Sequence, residues 1–348
     1  LLLSILVVFV TMPYHTYASR RFPITFRKFG SVVIFCLMCA SVIYVLVYGK
    51  VLDWYDDPSI CWATGSAVCF TVLFVYMEKK QYSPYFLMDI FKLRSIWIGI
   101  LLFLLLMIFN SSALFVNVFT GVGMKIDNWQ NAALNNWSMA GYFIGCVIAV
   151  MLGRKGVHLK YLFSLGFVLI GLSALFMYFE VQTAGLYERM KYPVIIRATG
   201  MMLLYSLTAV YANQRMPYKY LSTWICIMLT VRMALGPGIG TALYTNVMQH
   251  RQQHYVTCFA QDRDRLNPEV SASYAQTVQG MQYQGKSGQE AEQMAAMSAK
   301  GTVQVQATLS AVKEMSGWTF YGCLGCAVFF LLIPWKKRRL DKIPASVS

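Results

Sequence analysis

Acidic residues are scarce in this chain: 15 Asp and Glu stand among 348 residues, against 30 Lys and Arg. Charged residues of both signs make up only 13%, hydrophobic residues reach 57%, and the mean hydropathy is +0.50. That composition excludes an ordinary soluble domain. Motifs of catalysis are also missing. There is no HExxH, no GxSxG, no Walker loop and no dinucleotide fingerprint, so an enzyme and a bound cofactor are not expected. The four His (His15, His158, His250, His254) show no metal-ligand grouping. Of the nine Cys, only Cys258 sits in a clearly polar segment. Cys323 and Cys326 form a CxxC inside an apolar run, where small packing residues are expected rather than a redox or zinc site. The net charge of +15 does not point to nucleic acid, because the basic residues lie in loops between apolar runs.

What the chain has is long apolar stretches. Nine are counted: roughly 1–17, 29–49, 61–77, 95–119, 134–152, 161–179, 193–212, 222–247 and 315–335. A span needs about 20 residues, and lipid leaves a backbone no partner but itself, so these read as helices. The fold class is an all-α polytopic membrane protein of about nine transmembrane helices. One set of loops holds Arg20, Arg21, Arg27, Lys28, Lys79, Lys80, Lys92, Arg94, Arg154, Lys155, Lys160, Arg215, Lys219, Lys336, Lys337, Arg338, Arg339 and Lys342. The short loops of the other set hold only Lys50, Lys125, Arg189 and Lys191. Eighteen against four makes the first set cytoplasmic by the positive-inside rule, with the 336–348 tail inside and 249–314 outside. All eight Trp, Trp224 and the pair Trp318 and Trp335 among them, fall near helix ends, as an interfacial belt requires. The last two lie about 26 Å apart at a helical rise of 1.5 Å. Residue 1 falls inside an apolar run, with neither an initiator Met nor a signal peptide, so further membrane sequence is expected upstream.

The stretch 221–248, LSTWICIMLTVRMALGPGIGTALYTNVM, carries Arg232 near its middle and Gly236, Pro237, Gly238 and Gly240 just beyond. A cation at that depth costs at least roughly 2.5–3.5 kcal/mol on insertion scales. It is either a structural Arg bonded to neighbouring carbonyls or a polar lining position of a transporter. The glycines and proline predict a bent, closely packed helix. With no carboxylate in the middle of any apolar segment, Arg232 is expected to bond carbonyls and Asn110 or Asn117, or to meet a carboxylate from outside this chain. Asn110 and Asn117 are seven apart, hence on one helical face, as interhelical hydrogen-bonders or as a solute-facing wall. Arg197 is expected to snorkel outward, with Tyr205 further along the same helix. Gly141, Gly145, Ala149 and Gly153 form a small-residue packing stripe. The polar segment 249–314 predicts two helices, about 267–283 and 288–312, separated by Gly285 and Gly288.

The run from Arg232 through Gly-Pro-Gly-Ile-Gly-Thr-Ala-Leu to Arg251 and His254, the Gly49-Lys50-Val51-Leu52-Asp53-Trp54 loop, the Gly153-Arg154-Lys155 to Lys160 loop and the 300–312 run together resemble the C-terminal part of the fourteen-helix drug:proton antiporters of the major facilitator superfamily, the EmrB/QacA type. The resemblance covers essentially the whole chain. It implies that 1–17 is the last helix of an N-terminal bundle, 29–77 an extra central pair, and 95–335 a C-terminal six-helix bundle containing the 249–314 loop. It further implies proton-driven export of hydrophobic or amphipathic compounds across a bacterial cytoplasmic (inner) membrane, with a periplasmic adaptor protein as a candidate partner of 249–314. The proton-coupling carboxylates would lie upstream of residue 1, so residues 1–348 alone are expected not to transport. Substrate-cavity candidates are Asn110, Asn117, Tyr205 and Arg232, and Gly153, Arg154 and Lys155 stand in place of a cytoplasmic loop motif. The chain departs from the family in lacking an Asp in 153–160 and in its extra helix breakers at Gly-Pro-Gly. Two other readings are a facilitator of one specific metabolite and a non-transporting membrane scaffold.

Overall fold

Asp57-Pro58-Ser59 shows how local chemistry sets these helices. Asp57 is extended, Pro58 is the first helical residue, and the Ser59 N–H donates to Asp57 Oδ1 at 2.7 Å. A carboxylate N-cap followed by proline satisfies one orphan donor and removes another. The Ser59 side chain and backbone together hold the Asp57 carboxyl below the usual carboxylate range. The computed structural model describes residues 26–49, 51–80, 86–182, 186–214, 220–262 and 268–332. The expected helix at 1–17, Trp335, the 336–348 tail and several of the basic loop residues, Arg215 and Lys219 among them, lie outside the described residues.

Two compact units divide between Ile90 and Phe91. The first is a helical pair, α1 (Phe26–Tyr48) and α2 (Pro58–Lys80). Phe35, Phe74 and Phe86 interlock their rings, and Glu78, 3% exposed, accepts from Ser31 Oγ at 2.5 Å and from the Phe86 N–H at 3.2 Å. The joining loop turns on Asp53 and Trp54, both at positive φ (51° and 58°). Gly49 is required there, since a Cβ would sit 2.8 Å from the Trp54 ring.

The second unit contains α3 (Arg94–Asn110), α4 (Ala113–Val118), α5 (Asn128–Asn136), α6 (Ser138–Arg154), α7 (Leu159–Glu180), α8 (Lys191–Gln214), α9 (Leu221–Thr230), α10 (Gly236–Asp262), α11 (Pro268–Tyr283) and α12 (Gly288–Leu332). The α7 helix packs against α8 and α12, α8 also against α6 and α3, and α10 against α3 and α12. Phe163 and Phe167 stack on Phe330 at 5.8 and 5.4 Å. A second apolar cluster gathers Phe115, Phe119, Leu134, Met177, Tyr244 and Met315.

Among the described residues there is no strand, and eight helices are long and apolar enough to cross a bilayer. The chain is an all-α, multi-pass membrane protein. Two sequence expectations change. The second helix of the polar segment does not stop at 312: α12 runs unbroken for 45 residues into the last span. At 1.5 Å per residue it is about 67 Å long, twice a hydrocarbon core of about 30 Å. Alanine and glutamine favour helix on both sides of the polarity change, and nothing in the sequence there breaks it. Trp224 is not an interfacial belt residue but fully buried, its ring packed over Gly99, where a Cβ would approach to 2.7 Å.

Candidate functional site

Pro237 has no N–H and its ring conflicts with the carbonyl four residues back, so the helix before it cannot continue unchanged. The chain answers with a π turn over Val231–Leu235, closed by the Gly236 N–H on Val231 O. Arg232 rides on this widened turn. Its guanidinium carbon stands 4.2 Å from the Tyr205 ring centroid. Tyr205 is held in turn by α3, donating to Met107 Sδ at 3.4 Å and lying 6.4 Å from the Phe103 ring. A desolvated cation–π contact contributes about 2 kcal/mol or more. Arg232 thus meets neither Asn110 nor Asn117, as expected from sequence, but an aromatic face.

Asn110 serves a different arginine. Arg197 on α8 is only 9% exposed and donates through Nη1 to Asn110 O at 3.1 Å and Asn110 Oδ1 at 3.4 Å. Its Nε has no hydrogen-bond partner. The expected outward snorkel does not occur. The reason lies at Ser111-Ser112, where α3 ends: the Ser111 N–H is shared between Met107 O (3.0 Å) and Ile108 O (3.1 Å), the Ser112 N–H goes to Phe109 O (3.2 Å) and the Leu114 N–H to Ser111 O (3.0 Å), so the Asn110 carbonyl is bypassed by the ladder. A freed carbonyl beside an amide oxygen is a good acceptor pair for a guanidinium. The same turn resets the helical register. Asn117 therefore faces Asn135, whose Nδ2 donates to it at 3.4 Å, and does not share a face with Asn110. Of the four cavity candidates, Asn110, Tyr205 and Arg232 lie along the α3–α8 contact and the π turn; Asn117 is separate.

Glycines bring the backbones close enough for this. A Cβ at Gly236 would lie 2.5 Å from Met107 Cγ, and one at Gly240 would run into the Ser111 hydroxyl. Gly236 and Gly240 on α10 thus face Met107 and Ser111 on α3, both pairs four residues apart. Gly238 is buried as well. Gly141 and Gly145 pack as a pair on α8: a Cβ at Gly141 would lie 2.6 Å from Ala198 Cβ, and one at Gly145 would lie 2.6 Å from Thr199 O. The stripe then opens. A Cβ at Gly153 would meet nothing within 4 Å, and Cys146, Ala149 and Gly153 border a crevice of about 330 Å³ against Ser206 and Val210.

The Gly153-Arg154-Lys155 stretch ends a helix. The Gly156 N–H reaches Gly153 O at 3.1 Å and the Val157 N–H reaches Leu152 O at 3.3 Å, with Gly156 at φ 67°. That is a Schellman cap with glycine in the left-handed position, and its basic residues suit the negative end of the helix dipole.

One cluster escaped the sequence reading. Arg251 Nε donates to Glu314 Oε2 at 2.7 Å, and its Nη2 pairs with Glu314 Oε1. Tyr255 Oη donates to Glu314 Oε2 at 3.1 Å, and the guanidinium lies 5.5 Å from the Trp318 ring. Gln252 to Thr308 (2.8 Å) and Tyr244 with Thr319 (3.1 Å) continue this seam between α10 and α12. The sequence marked Arg251 but offered no signal for Glu314, sixty-three residues on. The forked pair clamps the polar extension of α10 to α12. Glu314→Gln is expected to speed amide hydrogen exchange in 251–262 several-fold while the spans stay protected. Unchanged exchange there would show that apolar packing alone holds the extension. Compared with known proteins, the chain matches no family model and none of the curated proteins.

Proposed function

We propose that this chain is the C-terminal part of a membrane transporter of the major facilitator type, exporting hydrophobic or amphipathic compounds by proton-driven alternating access in a bacterial cytoplasmic membrane. The observation that supports it is Arg232, carried on a π turn ahead of Gly-Pro-Gly and stacked on Tyr205. Interrupted helices near the bilayer midplane are where transporters place solute and coupling sites. Single-turn π bulges recur at functional positions, because the wider turn costs stability for a side-chain direction that a regular helix does not offer. A charged residue in a span is a functional-site hypothesis by default. The crevice beside Ser206, bordered by Cys146, Ala149 and Gly153 of α6, is a recess between α6 and α8 beyond their glycine contacts. The polar extensions of α10 and α12, with α11, are the candidate contact for an adaptor protein.

A scaffold is the second reading. Asn110 and Asn117, instead of lining an open wall, are both engaged between helices. Single-cysteine labelling bears on both readings. On the proposed topology, a reagent that does not cross the membrane labels Cys introduced at Ser298 in intact cells, and labels Cys introduced at Ser346 only after permeabilisation. Equal access to both would place the two sites on one side and overturn the topology. Solute-protected labelling of Cys introduced at Ser206 would support transport, and its absence with every amphiphile tried would support the scaffold.

A further inference from the structure

Three glutamates of the second unit already have a cation: Glu180 pairs with Arg189 at 3.3 Å, Glu188 with Lys191, and Glu314 with Arg251. Arg197 and Arg232, within the spans, have no carboxylate partner among the described residues. Among the described residues, Arg197 meets the oxygens of Asn110 and keeps one unpartnered buried N–H, and Arg232 meets Tyr205. Both lie along the same contact. Asn110, Met107 and Phe103 follow one another on one face of α3, and they hold Arg197 and Tyr205, which are eight residues apart on α8. The two positions are about 12 Å apart along the α8 axis at a rise of 1.5 Å per residue. Two cations neutralised by no carboxylate, in a medium of low dielectric, make a field that favours an anion and repels a cation.

We propose that this wall recognises an amphipathic anion. Its carboxylate, sulfonate or phosphate meets Arg232, with Arg197 reinforcing the field, and its apolar body lies beside the half-buried Tyr205, since Phe103 and Met107 are themselves fully buried. The inference rests on the transport reading for calling this anion a solute, and the charge preference is tested apart from it. Arg232 is half-buried with its guanidinium carbon 4.2 Å from the Tyr205 ring, and its five N–H donors exceed what that one neighbour can take.

The test uses the full-length protein in phosphatidylcholine nanodiscs and three dansyl amphiphiles that differ only in their head: sulfonate, hydroxyl and trimethylammonium. Binding is read as energy transfer from tryptophan, corrected with empty discs. The sulfonate is expected to bind at least about tenfold more tightly than the ammonium probe. Arg232→Met is expected to bring the sulfonate down to the level of the hydroxyl probe, while Arg232→Lys keeps part of the preference. Equal affinities for sulfonate and ammonium in the parental protein overturn the proposal, and that comparison decides even if a variant fails to fold. So does an Arg232→Met protein that folds and keeps the preference. Loss of sulfonate binding in discs containing phosphatidylglycerol identifies the occupying anion as a lipid headgroup and still supports an anion site. In proteoliposomes, movement of the hydroxyl or ammonium probe with no preference for sulfonate sinks the anion site and leaves export standing. Sulfonate binding with none of the three probes moved sinks the exporter instead.

Discussion

In the full-length protein, Arg232→Met is expected to abolish export of every substrate while membrane insertion and protein level stay at the parental value. Methionine keeps approximate bulk and apolar contact but removes the charge and all five N–H donors. Arg232→Lys is expected to retain part of the activity, since the charge remains but the planar group that stacks on Tyr205 is lost. Tyr205 gives an independent handle on the same contact. Tyr205→Phe keeps the ring face and loses the hydroxyl with its contacts to Met107 and Arg232, so a mild effect follows. Tyr205→Leu removes the face, and a desolvated cation–π contact of about 2 kcal/mol corresponds to about thirtyfold in rate if the contact is made in the rate-limiting step. The measurement is efflux of a fluorescent amphiphile from energised cells, normalised to the amount of protein in the membrane. Parental rates for Arg232→Met on all substrates would reduce the residue to a packing feature and leave the transport reading without its main support.

Gly145→Leu is expected to lose most of the folded protein. A Cβ at Gly145 would stand 2.6 Å from the Thr199 carbonyl oxygen and 2.9 Å from Met202 Cβ, and α8 cannot retreat, because its other faces pack against α7 and α3. Overpacking at such a site costs typically about 1–3 kcal/mol, and more where backbone is the obstacle. Gly145→Ala should move the same way to a smaller extent. Gly153→Ala, four residues beyond Ala149 on the same stripe, is the internal control, since nothing lies within 4 Å of the added atom. Thermal unfolding in detergent, followed by the loss of the monodisperse peak in size exclusion, ranks the three. A Gly145→Ala protein as stable as Gly153→Ala would mean that α6 and α8 repack freely and that the stripe does not hold them.

Several features were legible in the chain itself because they follow from short-range chemistry. The spans follow from hydropathy, since a lipid-facing backbone has only its own helix as partner. Gly141 and Gly145, and Gly236 with Gly240, announce close helix contact by their four-residue spacing, and Pro237 announces an interruption in the helix that carries Arg232. Other features depended on register and neighbours, which a linear pattern does not carry. The face-sharing of Asn110 and Asn117 assumed an unbroken period of 3.6, and the turn at Ser111-Ser112 rotates one away from the other. The direction of Arg197 turned on a carbonyl set free at the end of a different helix. Glu314 gained its meaning only when α10 and α12 brought it to Arg251. The sequence by itself determined that the chain is a multi-pass helical protein and that Gly141, Gly145, Gly236 and Gly240 let helices touch. Only the tertiary structure decided which polar groups meet, because a buried guanidinium takes whatever acceptor the neighbouring helix leaves unpaired.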